Sequence, residues 1–266
     1  MLEEMFTAMA SSGSLMSVIA TSLGLPQGMG VATLQSLRKA DMITKKGRGS
    51  SAADMLPEDA ATILTALVSG ATVAQVAQVT TLLLGMPHVL SFKQGTIAKG
   101  FNSVRTPPSP FYGTSNTSTL HKGLTAVLKA SWHQDAEFDE HGDVWYPGYN
   151  TLLDLDSLSF TLGMDGGRSG GFALIRARVT KEVVMTRFYS TWPLRSRIGA
   201  ALAEGDAQKR SDLLADVAYD PWLVFESQAK LMNASRVEGA VFQEALDCLK
   251  DEAPKSRQRV KRFAQY

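Results

Sequence analysis

The chain has 266 residues, of which 44% are hydrophobic and 20% are charged, and its formal net charge is +1. This length can hold two domains with hydrophobic cores, and the composition excludes a wholly disordered chain. The single cysteine, Cys248, excludes an intrachain disulfide and predicts a protein of the reducing cytoplasm.

Charge is distributed unevenly along the chain. Residues 31–53 carry five cations and one acid, whereas residues 133–156 carry seven acids and no lysine or arginine. Residues 255–266 carry five cations and no acid. Segregation of this kind predicts local electric fields that attract charged partners, and it does not specify a fold.

The first 40 residues show the spacing of three short helices. These helices are predicted over 2–10, 14–23 and 29–40. Ser14 is the predicted N-cap of the second helix. Gly24 suits the left-handed residue that ends this helix, and Pro26 prevents its continuation. The second and third helices are therefore expected to be joined by a tight turn.

The third predicted helix has one apolar edge and one outer face. Val31, Leu34 and Leu37 cluster within about 120° on a helical wheel, which predicts that this edge is buried. The outer face holds neutral and cationic side chains and no acid. Lys45, Lys46 and other polar residues of 44–50 follow, with glycines that permit a tight basic hairpin.

Further helices are predicted downstream. The first position of a helix tolerates proline, so Pro57 predicts the start of a helix that ends at Gly70. Residues 71–84 predict another helix. Residues 101–119 are rich in Pro, Ser and Thr and predict a linker or long surface loop. The stretch 73–90 is apolar but is interrupted by Gln, Gly and Pro, so no membrane association is expected.

The second half of the chain mixes helical and alternating patterns. Residues 120–132 predict a helix with an apolar stripe of Leu120, Leu124, Val127 and Leu128. The period then changes from 3.6 to 2 in "SLSFTLGM", "FALIRARV" and "EVVMTRFYS", which predicts two or three antiparallel strands. Residues 206–250 are predicted to be helical.

These patterns predict an α+β protein. The expected parts are a winged helix-turn-helix head (1–70), a helical connector and linker (71–118), an α+β domain with a small antiparallel sheet and helices (119–250), and a basic tail (251–266). The C-terminal domain is expected to mediate dimerisation or to bind a small-molecule or protein effector.

The stretch "LMSVIATSLGLPQGMGVATLQSLRKADMITKKGRG", within residues 14–53, resembles the DNA-binding head of MarR- and GntR-type bacterial regulators. In those families one helix braces the turn, the next enters the major groove, and a basic hairpin follows. The resemblance implies the same roles for helix 29–40 and for a wing at 44–50. The chain departs from MarR proteins because no long pair of dimerisation helices follows the wing.

Candidate DNA-binding residues follow from the side-chain chemistry of this region. Gln can bond adenine bidentately, Ser can bond either base edge, and Lys and Arg can reach phosphate or guanine. The predicted set is Gln27, Thr33, Gln35, Ser36, Arg38, Lys39, Lys45, Lys46 and Arg48. The alternative interpretation of 44–50 is a solvated basic loop.

Catalytic and metal signatures are weak in this sequence. "MDGGRSGG" (164–171) lacks the Lys and Ser/Thr of a phosphate loop and is interpreted as a hairpin connection. "DAEFDEHGD" (135–143) fails the calcium-loop template and is interpreted as a solvated acidic loop. The histidines lack partners at ligand spacing, and Cys248 is expected to be a small core residue. No metal, no cofactor and no enzyme activity are therefore expected.

Three functions remain open from the sequence. The first is a transcriptional regulator, expected to be a repressor, that binds double-stranded DNA as a homodimer. The second is an architectural DNA-binding protein, for phage packaging or plasmid partition. The third is an enzyme that uses the head for docking. The basic tail is either a further contact for nucleic acid or a disordered segment that improves solubility.

Overall fold

The fold is taken from a computed structural model. It describes residues 11–44, 55–95, 119–132, 137–138, 144–145, 154–178, 183–203, 224–225 and 232–249. The predicted helix at 2–10, the linker at 101–118 and the basic tail lie outside these residues.

The described elements are helices and strands in mixed order. The helices are α1 Ser12–Ser22, α2 Gln27–Lys39, α3 Pro57–Val68, α4 Val76–Leu84, α5 Leu120–Trp132, α6 Ser196–Ala203 and α7 239–249. The strands are β1 His88–Gly95, β2 Glu137–Phe138, β3 Val144–Trp145, β4 Asp154–Asp165, β5 Gly171–Arg178, β6 Val183–Ser190 and β7 Met232–Glu238.

Five strands form one antiparallel sheet in the order β1-β6-β5-β4-β7. The pair β2 and β3 forms a separate short ladder inside the acidic stretch. The α+β class predicted from the sequence is confirmed. The interpretation of 164–171 as a hairpin connection is also confirmed, because residues 166–170 join the antiparallel strands β4 and β5.

Helices cover both faces of the large sheet. On one face, Phe160, Ile175 and Tyr189 belong to a buried cluster that also includes apolar residues of α1 to α5 and α7. On the other face, Phe172, Leu174 and their neighbours form a smaller cluster with α6 and residues 224–225. The alternation predicted for β5 therefore separates two apolar cores, because successive side chains point to opposite faces.

Several local predictions are confirmed. α3 starts at Pro57 and is followed by Gly70 with φ +57, as the turn signals predicted. α5 covers 120–132, and the four apolar residues predicted for its stripe are buried. Cys248 is half-buried and packs against the larger cluster, as expected of a small core residue.

Three predicted assignments are wrong, and two of them concern strands. Residues 88–95, assigned to the connector, form the edge strand β1, paired with β6. Residues 232–238, assigned to a helical region, form the other edge strand β7, paired with β4. The helix predicted over 71–84 begins only at Val76, after a turn at 73–75. Strand pairing joins residues far apart in sequence, so short windows do not reveal it.

Candidate nucleic-acid interface

The turn between α1 and α2 is fixed by glycine. Gly24 has φ +67, and its N–H donates to the carbonyl of Thr21 at 2.9 Å. The N–H of Leu25 donates to the carbonyl of Ala20 at 2.8 Å. This pair of bonds is the Schellman arrangement, which satisfies the last carbonyls of a helix and reverses the chain. The predicted role of Gly24 as the left-handed residue is confirmed.

The start of α1 differs from the prediction. Its N-cap is Ser11, whose side-chain oxygen accepts from the N–H of Ser14 at 3.2 Å. The predicted cap, Ser14, is therefore the third residue inside the helix. The sequence "SSGS" contains several residues with good capping chemistry, so the pattern alone does not select among them.

α1 and α2 pack closely because a glycine lies at their contact. A Cβ on Gly30 would lie 3.2 Å from the Ala20 Cβ and 3.4 Å from the Met16 Cγ. α2 also contacts α3 and α4, and its buried residues are Gly30, Thr33, Leu34 and Leu37. Three neighbouring helices thus hold α2 along one side, which fixes the direction of its opposite face.

The buried side of α2 differs from the predicted one at two positions. Thr33, predicted to contact DNA, is 2% exposed, so its side chain lies in the core and not on the outer face of α2. Val31, predicted to be part of the buried edge with Leu34 and Leu37, is 51% exposed. α2 packs against α3 and α4 as well as α1, and its buried side includes Thr33.

The outer face of α2 carries amides and cations. Gln27, Val31, Gln35 and Lys39 lie four residues apart, so they form one stripe along the helix. Both glutamines, Lys39 and the adjacent Arg38 are exposed. No acidic side chain occurs between residues 27 and 39. The structure therefore brings together four of the predicted contact residues: Gln27, Gln35, Arg38 and Lys39.

The neighbouring side chains of Ser36 and Arg38 contact other parts of the protein. The Ser36 hydroxyl donates to the carbonyl of Val73, in the turn before α4, at 3.1 Å. Ser36 is half-buried and faces that turn, so its predicted contact with a base is not supported by its orientation. The Arg38 guanidinium donates to the hydroxyl of Ser12 at the start of α1. A guanidinium has five N–H donors, so one bond to a hydroxyl does not use its whole donor capacity.

The predicted wing residues Lys45, Lys46 and Arg48 lie outside the described residues, but both ends of their segment are described. Ile43 and Met55 are buried in the larger cluster, on either side of 45–54. The described chain on either side of this segment is therefore anchored in the core beside α2 and α3.

A single carboxylate connects the two ends of segment 45–54. Asp59 accepts from the backbone N–H of Thr44 and from that of Leu56, both at 2.9 Å. The Thr44 hydroxyl also donates to this carboxylate at 2.9 Å. Asp59 is buried, so these charge-assisted bonds are protected from water. An acid at the third position of a helix indicates capping, but the bonds to Thr44, 15 residues away, have no signal in the local sequence.

Comparison of the chain with protein-family models, with curated proteins and with solved structures found no match. Within the described ranges, no group of three or more His, Cys, Asp or Glu side chains is placed to hold a metal ion. No helix in that part of the chain has both the length and the apolar character needed to cross a membrane.

Proposed function

We propose that this protein is a transcriptional regulator, acting as a repressor, that binds duplex DNA through α2 and the basic segment 44–50. The observation that carries the proposal is the outer face of α2, which presents exposed glutamines and cations and no acid. Such side chains are suited to base edges and phosphates.

The dimensions of α2 support this role. A helix of 13 residues is about 20 Å long, and the major groove is about 12 Å wide and accepts one α-helix. The opposite side of α2 is held by three helices, so the reading face would not have to be ordered on binding. In this proposal α1, the turn and α2 form the helix-turn-helix, and 44–50 forms its wing.

The proposed regulator acts as a homodimer on an inverted repeat. One small head contacts few phosphates, and two-fold symmetry doubles the footprint and the charge neutralised. The sheet and its helices would supply the surface for dimerisation or for an effector, either a small molecule or a protein.

The first test measures how DNA affinity depends on salt. The double variant Lys45→Ala/Lys46→Ala is expected to weaken binding to all duplexes, because lost phosphate contacts carry no sequence information. The slope of log affinity against log salt should flatten by about two units, since each phosphate contact contributes about 0.9. Adding Arg48→Ala should bring the change to about three units. Fluorescence anisotropy with a labelled duplex gives these slopes.

A matched control removes two cations elsewhere. Arg176 and Arg236 lie on the face of the large sheet opposite the one that carries Phe160. Arg176 pairs with Ser159, and Arg236 pairs with Thr161. The variant Arg176→Ala/Arg236→Ala changes the net charge by the same amount and should leave the salt slope unchanged. Equal slopes for both double variants and the parent protein would contradict the wing assignment.

The second test concerns sequence preference. Gln35→Ala should change the consensus selected from a random duplex pool, because a glutamine on the reading face discriminates adenine from other bases. An identical consensus would remove Gln35 from the readout. A discrete footprint on the selected duplex supports a regulator, whereas spreading along the DNA indicates the architectural alternative.

A further inference from the structure

An exposed valine occupies the centre of the α2 reading face. Val31 is 51% exposed, and it lies one helical turn after Gln27 and one turn before Gln35. Single exposed apolar residues are common on protein surfaces, so exposure alone assigns no role. Its position inside a polar and cationic stripe distinguishes Val31 from such residues.

The major groove of B-DNA offers one apolar group to a protein side chain. That group is the C5 methyl of thymine, whereas cytosine carries only a hydrogen at the same position. An aliphatic side chain between two glutamines therefore complements a groove in which thymine lies close to adenine. The charge of the face also favours DNA, because Lys39 ends the stripe, Arg38 is adjacent to it and no acid interrupts it.

We infer that Val31 reads a thymine by packing its side chain against the C5 methyl group. The inference rests on the proposed function and specifies the bases that this function recognises. One helical turn rises about 5.4 Å, and successive base pairs are about 3.4 Å apart, so residues one turn apart sample bases one or two steps apart. The thymine read by Val31 thus lies within two base pairs of the adenine read by Gln35.

The experiment removes the methyl group from each partner in turn. Each thymine of the selected half-site is replaced by deoxyuridine, which lacks only the C5 methyl, and the Kd is measured for the parent protein and for Val31→Ala. At one position the parent should bind the deoxyuridine duplex about fourfold more weakly, the effect of one buried methyl-sized group. Val31→Ala should bind the thymine duplex and the deoxyuridine duplex equally. The four Kd values form a double-mutant cycle, which measures the interaction between the Val31 side chain and the thymine methyl.

The chain offers a matched control in Val73. It is 46% exposed, similar to Val31, and lies in the turn before α4 instead of on the outer face of α2. Val73→Ala keeps the backbone carbonyl that accepts from Ser36. This variant should show the same loss on deoxyuridine substitution as the parent protein.

Each other outcome overturns the inference. If the parent is indifferent to deoxyuridine at every position, or if Val31→Ala keeps the parent's discrimination, Val31 reads no thymine. If Val31→Ala lowers the melting temperature far more than Val73→Ala does, Val31 is covered by another segment of the chain, such as 2–10. If it changes the mass in solution, the face binds a second copy.

The failure of this inference and the failure of the proposed function are distinguishable. A parent protein that binds duplexes with a steep salt slope, but shows no Val31-dependent methyl effect, retains the proposed function and loses only the inference. A parent protein that binds no duplex at low salt loses both.

Discussion

Two glycines in helices differ in the space available for a larger side chain. A Cβ on Gly123, in α5, would overlap the hydroxyl of Tyr189 and lie 2.7 Å from its Cζ. The Tyr189 ring is fully buried in the sheet, so it has little room to move. A Cβ on Gly199, in α6, would have no atom within 4 Å. The same substitution therefore meets a close contact at one position and open space at the other.

Alanine substitution at these glycines is expected to have opposite effects. Gly199→Ala should stabilise the protein by about 0.5–1 kcal/mol, because alanine is the better helix former. Gly123→Ala gains the same propensity but overpacks the core, which typically destabilises by about 1–3 kcal/mol. Urea unfolding of both variants checks the prediction. A stabilised Gly123→Ala would indicate that α5 shifts away from the sheet without loss.

At the scale of elements, the turn between α3 and α4 contacts both α2 and the sheet. Ser36 of α2 donates to the carbonyl of Val73 in this turn. From the other side, Arg168 at the β4–β5 connection donates to the carbonyl of Gly70 and, at 3.4 Å, to the side chain of Gln75. Residues 70–75 therefore contact both α2 and the β4–β5 connection, in addition to the core that α2 shares with the sheet.

Removing the Arg168 side chain should loosen this segment. In Arg168→Ala, amide hydrogen exchange of residues 70–76 is expected to accelerate several-fold, because two bonds that order the turn are lost. The free energy of unfolding should fall by no more than about 1 kcal/mol, since these bonds are partly exposed to water. Unchanged exchange at 70–76 would mean that the turn is held by α2 and α4 alone.

Arg236→Ala is the control for this measurement. Arg236 is exposed on the edge strand β7 and forms an ion pair with Glu238 at 2.6 Å. Removal of this exposed pair should leave the exchange of residues 70–76 unchanged.

At the scale of the whole molecule, one buried cluster runs through most of the fold. It includes Leu15 of α1, Leu37 of α2, Phe160 of β4 and Leu246 of α7. The region assigned from the sequence to a separate head thus shares its core with the sheet and the C-terminal helix. Because the cluster is continuous, we expect these parts to unfold together.

A substitution in α7 tests this cooperativity. Leu246 is fully buried, and Leu246→Ala should destabilise the protein by about 2–5 kcal/mol through lost burial and a residual cavity. The slowest-exchanging amides of α1 and α2 should lose protection by a similar free energy. Unchanged protection there would show that residues 1–70 unfold independently, as the predicted domain boundaries imply.

Sequence patterns predicted the elements whose signals are local. Gly24, Pro57 and Gly70 fix helix ends through their own backbone preferences, and each helix end lies where they predict it. α5 and the three central strands, β4 to β6, were also recognised, because the residues on each buried face recur with the period of the element. Such signals require no knowledge of the rest of the chain.

The tertiary structure decided which residues each element buries and which strands complete the sheet. Periodicity placed an apolar edge on α2, but only the packing of α1, α3 and α4 determined that Thr33 lies inside and Val31 outside. The edge strands β1 and β7 depend on partners β6 and β4, which are distant in sequence. Local backbone preference acts within a few residues, whereas burial and strand pairing depend on the whole chain, so the outer face of α2 could be defined only from the folded molecule.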